Sequence, residues 1–291
     1  MRLSQGTAHD PGQPQQSPAN LAYSASGKML LTSFGMTMAP FQLPRITSDT
    51  ALFLDFDGTL AGLAPQPDQV HVPPGLVGTL AALSARLGGA LALVSGRPLR
   101  DLDHFLAPLQ LPAAVEHGAQ RRAADGRLVS APSVDLTLVH QAAAHLAQQH
   151  PGLLLEEKNL AISLHYRHAP ELEGLCLQAM REAVARSPGL DLMQGKFVLD
   201  IKPAGSSKGT AIADFMAETP FAGRTPVFVG DDVTDEAGFA QVQRLGGHAI
   251  KVGPGPTLAT YRCASVEAVA RWLQAAGSAR LDDDGVERIS A

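Results

Sequence analysis

The chain has 291 residues, 45% of them apolar, and its 23 basic and 28 acidic residues give a formal charge of −5. That length predicts about two domains with ample core, and the scattered basic residues argue against a nucleic-acid partner. No apolar run is long enough to cross a bilayer, the N-terminus lacks a secretory pattern, and the two distant cysteines, Cys176 and Cys263, read as buried free thiols; the expected location is the cytoplasm.

Residues 1–45 are polar, contain proline and show no periodicity, which predicts a disordered N-terminal extension, with Met36 or Met38 as alternative starts. Ala51–Leu54 is a continuously apolar run, the mark of a buried parallel strand. It ends in Asp55-Phe56-Asp57-Gly58-Thr59-Leu60, where two carboxylates leave the strand and a glycine lets the chain turn. Leu76–Leu87 repeats apolar residues at helical spacing, and Ala90–Val94 is a second buried strand ending in Ser95-Gly96-Arg97. Ala113–Val115 is a short third, ending in Glu116-His117-Gly118.

The pattern changes between about 123 and 201. Leu160–Arg167 and Lys196–Ile201 alternate, as half-exposed antiparallel strands do, and Leu136–Gln149 and Leu172–Ser187 read as amphipathic helices. The expectation is an α+β module, residues 123–201, inserted into a parallel-sheet core of residues 46–122 and 202–280. Ser207-Lys208-Gly209 then opens the apolar helix Thr210–Ala217. Val227–Val229 is a further strand, ending in Gly230-Asp231-Asp232 with Asp235-Glu236 close behind. Gly253-Pro254-Gly255-Pro256 lacks a dinucleotide fingerprint and reads as a loop. Val266–Ala275 is a closing helix with Trp272 packed, and residues 281–291 form a solvated tail. The fold class is α/β, a Rossmann-like parallel core with an inserted cap, and polar residues just past each strand's carboxyl end should converge on one crevice.

Four stations supply the parts of phosphoryl transfer. Asp55 can attack phosphorus, and Asp57 can protonate the leaving oxygen and then activate water. Ser95 can bond a phosphoryl oxygen, while Lys208 and the helix amino end behind it supply positive potential. Asp231, with Asp55 and the Asp57 carbonyl, offers hard oxygen ligands for Mg²⁺, and Asp232 and Asp235 would hold its waters. Thr59, Gly96 and Arg97 complete the first two stations as substrate contacts. Two readings of His117 stand: it borders the site, or it is a satisfied buried histidine. Glu156-Glu157-Lys158 is either a solvated turn or a polar sugar-reading element. His165 and His168 have nothing beside them to support zinc.

The four stations, in this order, resemble the motifs of the haloacid dehalogenase superfamily of phosphatases. Glu116-His117-Gly118-Ala119, Leu155-Glu156-Glu157-Lys158, Leu164-His165-Tyr166-Arg167, Ile201-Lys202-Pro203 and Gly230–Glu236 narrow this: the chain is similar to the trehalose-6-phosphate phosphatase family from about Ala51 to Trp272. The resemblance implies that Asp55 is the phosphorylated nucleophile, Asp57 the general acid/base and Asp231 a Mg²⁺ ligand. It implies that Glu156 and Lys158 contact the disaccharide, and that Asp200 stands where the family more often carries the longer Glu. Its expected chemistry is Mg²⁺-dependent hydrolysis of trehalose 6-phosphate by a monomer, with neither nucleic acid nor membrane as partner. Related sugar phosphatases acting on sucrose phosphate or a mannosyl phosphate, and a non-catalytic sugar-phosphate sensor, are the alternatives.

Overall fold

The computed structural model describes residues 42–63 and 69–278, with backbone also for 280–281 and 287–288. Most of the expected extension, residues 1–41, lies outside the described residues, as does most of the tail. Of the extension's last residues, Leu43 packs against the core and the Pro44 carbonyl accepts from the Trp272 indole at 3.1 Å.

In chain order, β1 (Thr50–Leu54) is followed by α1 (Leu76–Arg86), β2 (Leu91–Val94), α2 (Leu99–Leu106) and β3 (Ala113–Val115). Next come β4 (Gln120–Arg122), β5 (Leu128–Ser130), α3 (Thr137–Gln149), β6 (Leu154–Glu157), β7 (Ile162–His165) and α4 (Glu173–Ala185). The chain continues with β8 (Leu190–Gly195), β9 (Val198–Pro203), α5 (Lys208–Met216), β10 (Thr225–Gly230) and α6 (Glu236–Arg244). β11 (His248–Val252), β12 (Tyr261–Cys263) and α7 (Val266–Ser278) complete the compact body, after which Arg280–Leu281 and Glu287–Arg288 pair antiparallel.

The large sheet runs β12-β11-β10-β1-β2-β3-β4-β5. From β12 to β3 every pairing is parallel. β4 and β5 add antiparallel at one edge. β1 is central and wholly buried, so its apolar run has no face that needs polar residues. β1 is flanked by β2, its successor in the chain, on one side and by the much later β10 on the other, and such a switch point opens a crevice at the carboxyl ends. α1 packs on α7, and α5 on α6.

The second sheet, β6-β7-β9-β8, is antiparallel throughout. Alternation divides its faces. Ile162, Leu164, Leu199 and Ile201 pack with Val139, Ala143, Cys176 and Met180 of α3 and α4 in a core of their own. The other face carries a cross-strand row fixed by register, Glu156 opposite Ser163 and Ser163 opposite Asp200. This is the cap.

Candidate active site

β1 delivers Asp55 to the crevice, 4% exposed. The chain then folds back on itself, with the Gly58 amide on the Ala61 carbonyl at 2.7 Å. Gly58 has φ +77°, and a β-carbon there would lie 2.2 Å from an Asp231 carboxylate oxygen. Only glycine allows both the turn and that close approach. Asp231 leaves β10, the neighbour of β1, so two adjacent parallel strands bring the first and fourth stations together.

α5 supplies the cation. Ser207 caps it, accepting from the Thr210 amide while Thr210 Oγ1 returns a bond to the Ser207 amide. The helix therefore begins at Lys208, two residues before the apolar periodicity suggested. Lys208 Nζ donates to Asp55 Oδ1 at 2.7 Å and to Asp235 Oδ1 at 2.6 Å. The other Asp235 oxygen accepts the Asp231 and Asp232 amides, each at 2.9 Å, which pins the fourth station's loop. Burial works against the Lys208 charge, but Asp235 and Asp55 outweigh it and hold the ammonium well above its usual range. Burial also pushes Asp55 up; Lys208 opposes this, and Asp235 and Asp231 add to it. Asp231 is pushed up to about 7, by burial first and then by Asp235 and Asp232.

Oxygens of Asp55, Asp231 and Asp235 lie within 4.8 Å of one another. Three carboxylates sharing one ammonium leave excess negative charge in a confined space, and a hard-oxygen set of this kind suits Mg²⁺. Asp235 is already occupied by Lys208 and two amides, which leaves Asp55 and Asp231 as the carboxylates with donor capacity. Asp232 caps the short turn Val233–Asp235.

Asp57 points to the second station, where Arg97 grips it with Nε on Oδ2 at 2.6 Å and Nη2 on Oδ1 at 2.8 Å. The guanidinium lies over the Phe105 and Phe56 rings, 5.0 and 5.6 Å from their centroids. Ser95 is buried, its hydroxyl accepting the Arg97 amide. Thr59 is fully buried, its hydroxyl without a hydrogen-bond partner among the described residues, and it does not line the crevice.

The cap face closes the crevice from the other side. Lys158 Nζ donates to the Gly96 carbonyl at 3.0 Å and lies 3.4 Å from Asp200 Oδ1. Asp200 also accepts from the Ser163 hydroxyl, and its Oδ2 sits 3.3 Å from His117 Nε2. Burial opposes the Asp200 charge, but His117, Lys158 and the Ser163 hydroxyl outweigh it and hold the carboxyl well below the usual range. Burial pushes the His117 imidazole down, against the pull of Asp200. The ring packs so tightly on the second station that a β-carbon on Gly96 would meet it at 2.4 Å. Glu156 accepts from His165 at 2.8 Å; burial opposes its charge, and His165 and Lys158 bring it below its usual range.

Of the fourteen residues given a site role in the sequence, all but Thr59 and Asp235 line this one cleft. His165, Arg167, Lys196 and Thr234 line it too. His165 shares the side of β7 that bears Ser163 and Arg167 follows two residues on, as alternation would have given; Lys196 and Thr234 sit in connections with no periodic signal.

The parallel sheet order with an inserted cap is a fold shared with a solved phosphatase of the haloacid dehalogenase superfamily from Bacteroides thetaiotaomicron, at a TM-score of 0.53 and 14% identity. The model of the trehalose-phosphatase family matches residues 53–267, and the chain belongs to that family. It is 44% identical over 241 residues to trehalose-6-phosphate phosphatase of Escherichia coli, covering 82% of this chain and 91% of the relative. It is 46% identical over 206 residues to a probable trehalose-phosphate phosphatase of Sinorhizobium fredii, covering 70% and 78%. Among solved structures, the C-terminal domain of trehalose-6-phosphate phosphatase from C. albicans superposes with a TM-score of 0.71 at 20% identity, covering 79% of this chain and 92% of that one.

Proposed function

We propose that this protein hydrolyses trehalose 6-phosphate to trehalose and phosphate through a phospho-aspartate on Asp55. The observation that carries the reading is the meeting of Asp55, Lys208 and Asp231 at the end of β1 beneath a cap face bearing Glu156 and Lys158. Mg²⁺, held by Asp55 and Asp231, would offset the repulsion between carboxylate and phosphate dianion. As substrate enters, the Arg97 fork passes from Asp57 to the phosphoryl oxygens, which frees Asp57. Freed of the guanidinium, Asp57 takes up a proton from solvent; an Asp55 oxygen then bonds to phosphorus, the bond to the sugar oxygen breaks, and Asp57 gives that oxygen its proton. Asp57 then takes a proton from water as the water oxygen attacks phospho-Asp55, releasing phosphate and restoring the carboxylate. Lys208 holds Asp55 in place and balances the phosphoryl charge. Sugar hydroxyls need fixed donors and acceptors, and Glu156 and Lys158 present both kinds over the leaving-group side. Asp200 supports them from behind, its oxygens being engaged by Ser163, Lys158 and His117.

The test is phosphate release from a panel of sugar phosphates, first with Mg²⁺ and then with EDTA. Strong preference for trehalose 6-phosphate, lost on chelation, is the expected result. Metal-dependent release without that preference refutes the substrate, and no release from any of them favours a sensor.

A further inference from the structure

We propose that Glu116 is a positioning residue that fastens the tip of the β6–β7 hairpin to the core and so aims Lys158 into the cleft. The consequence for substrate rests on the reading of Lys158 as a sugar contact. Glu116 follows β3 and is completely buried. A buried carboxylate needs compensation, and this one takes it from two consecutive backbone amides of the cap. Oε1 accepts from Asn159 at 3.1 Å and Oε2 from Leu160 at 2.7 Å. Those amides belong to a tight turn closed by the Lys158 amide on the Ala161 carbonyl at 3.0 Å. Holding the turn therefore holds the Lys158 backbone, which places its ammonium at the Gly96 carbonyl.

The core side of the fastening is built on the second station. The Glu116 amide donates to the Arg97 carbonyl and the His117 amide to the Ser95 carbonyl, both at 3.1 Å. Glu116 and His117 have φ of +49° and +58°, the left-handed region that side-chain-bearing residues disfavour. Glycine would fit this turn with less strain. A glutamate held there, with both oxygens spent on the cap, marks a side chain kept for what it grips. Arg97, which holds Asp57, and the turn that carries Lys158 are thus tied to one residue that touches neither phosphate nor sugar in this arrangement.

The experiment is Glu116→Gln in the full chain, which keeps length but removes the charge and one acceptor, with Glu116→Asp as a variant that keeps the charge and retracts it. In Glu116→Gln the Asn159 and Leu160 amides should exchange about tenfold faster or more, while thermal stability changes little. KM for trehalose 6-phosphate should rise about tenfold, the scale of a lost bond to a charged group, with turnover of p-nitrophenyl phosphate within about threefold of wild type. Glu116→Asp should fall between the two. Glu116→Gln combined with Lys158→Ala should be no worse on KM than Lys158→Ala alone, because both act through one contact. Unchanged amide protection overturns the proposal, as do equal losses on both substrates or additive effects in the double variant. Should the wild-type enzyme not prefer trehalose 6-phosphate, the substrate reading fails by itself, and amide exchange still decides the fastening.

Discussion

The raised Asp231 carboxyl makes metal binding and proton binding compete, and this sets the sign of the protein's pH response. In the metal-free protein Asp231 titrates near 7 rather than at its ordinary 3.8. The folded state therefore holds a proton that the unfolded chain releases. Stability from this group is fully present below about 3.8 and is lost as pH rises through about 7. A rise of about three pKa units corresponds to at most about 4 kcal/mol, and the side chain's partial solvent contact reduces this to about 1–2 kcal/mol. About two-thirds of that falls between pH 5 and pH 8, which for a protein of this size is a fall in Tm of roughly 1–5 °C in EDTA. Mg²⁺ should reverse the trend. Below pH 7 it must displace the proton, so its apparent Kd rises about tenfold per pH unit and its stabilisation shrinks by about 1.4 kcal/mol each time. The assay is thermal unfolding at pH 5 and pH 8, with EDTA or Mg²⁺, for wild type and Asp231→Asn. The Asp231→Asn variant cancels contributions from other titrating groups, His117 among them, whose opposite slope it shares with wild type. A Mg²⁺-induced rise in Tm that is equal at the two pH values, or an EDTA slope that is the same in wild type and Asp231→Asn, would refute the reasoning.

Three further outcomes follow from the same geometry. Asp55→Asn should lower turnover of trehalose 6-phosphate by at least about 10³-fold, because no other carboxylate is placed to attack; its metal-free Tm should not fall, since one of three crowded carboxylates becomes neutral, and substantial residual turnover would sink the nucleophile assignment. Lys158→Ala should raise KM for trehalose 6-phosphate by about 10–100-fold and leave p-nitrophenyl phosphate nearly untouched, as steady-state kinetics on the two substrates would reveal. Asp200→Ala leaves the Lys158 ammonium and the His117 ring without their shared partner and should cost about 3–5 kcal/mol. Denaturant unfolding would measure that loss, and a cost below about 1 kcal/mol would show that Asp200 is not the hub its three contacts suggest.

Much of this was readable from the chain because buried parallel strands are apolar on both faces and end abruptly. Leu54 to Asp55, Val94 to Ser95 and Gly230 to Asp231 are such ends, and each polar residue does reach the crevice. The insert was visible through the alternation of Ile162-Ser163-Leu164-His165. β6 was not, since Leu154-Leu155-Glu156-Glu157 has too little alternation to separate a strand from a charged turn. β11 was hidden by Lys251, a cation in an otherwise apolar strand whose ammonium bonds the Asp231 carbonyl. Glu116 and Asp200 show the deeper limit. A glutamate after a three-residue strand looks solvated, and its burial comes from amides more than forty positions downstream. By resemblance Asp200 stands where the family more often carries Glu; that it lies directly opposite Ser163, which takes one of its oxygens, comes from the β7–β9 register.

The division of labour between the sheets follows from charge. In the proposed mechanism, the groups that would bond or balance the phosphoryl group come from the large sheet and α5: Asp55, Asp57, Ser95, Arg97, Lys208 and Asp231. Lys208 is spent on Asp55 and Asp235, and Arg97 on Asp57, so the resting core has its cations already paired. Asp231 adds a further carboxylate that, among the described residues, has no cation within hydrogen-bond reach, Lys208 and Lys251 attracting it only at longer range. A phosphate dianion entering that field meets net repulsion unless two positive charges arrive with it or before it. On the proposed function, a divalent ion would meet that requirement before any question of substrate. The cap, by contrast, spends its charges on itself and on the rim, through Glu156 with His165 and Lys158 with Asp200. Recognition of the sugar can therefore change without disturbing the charge balance that drives the chemistry, which is how one core serves many phosphate esters.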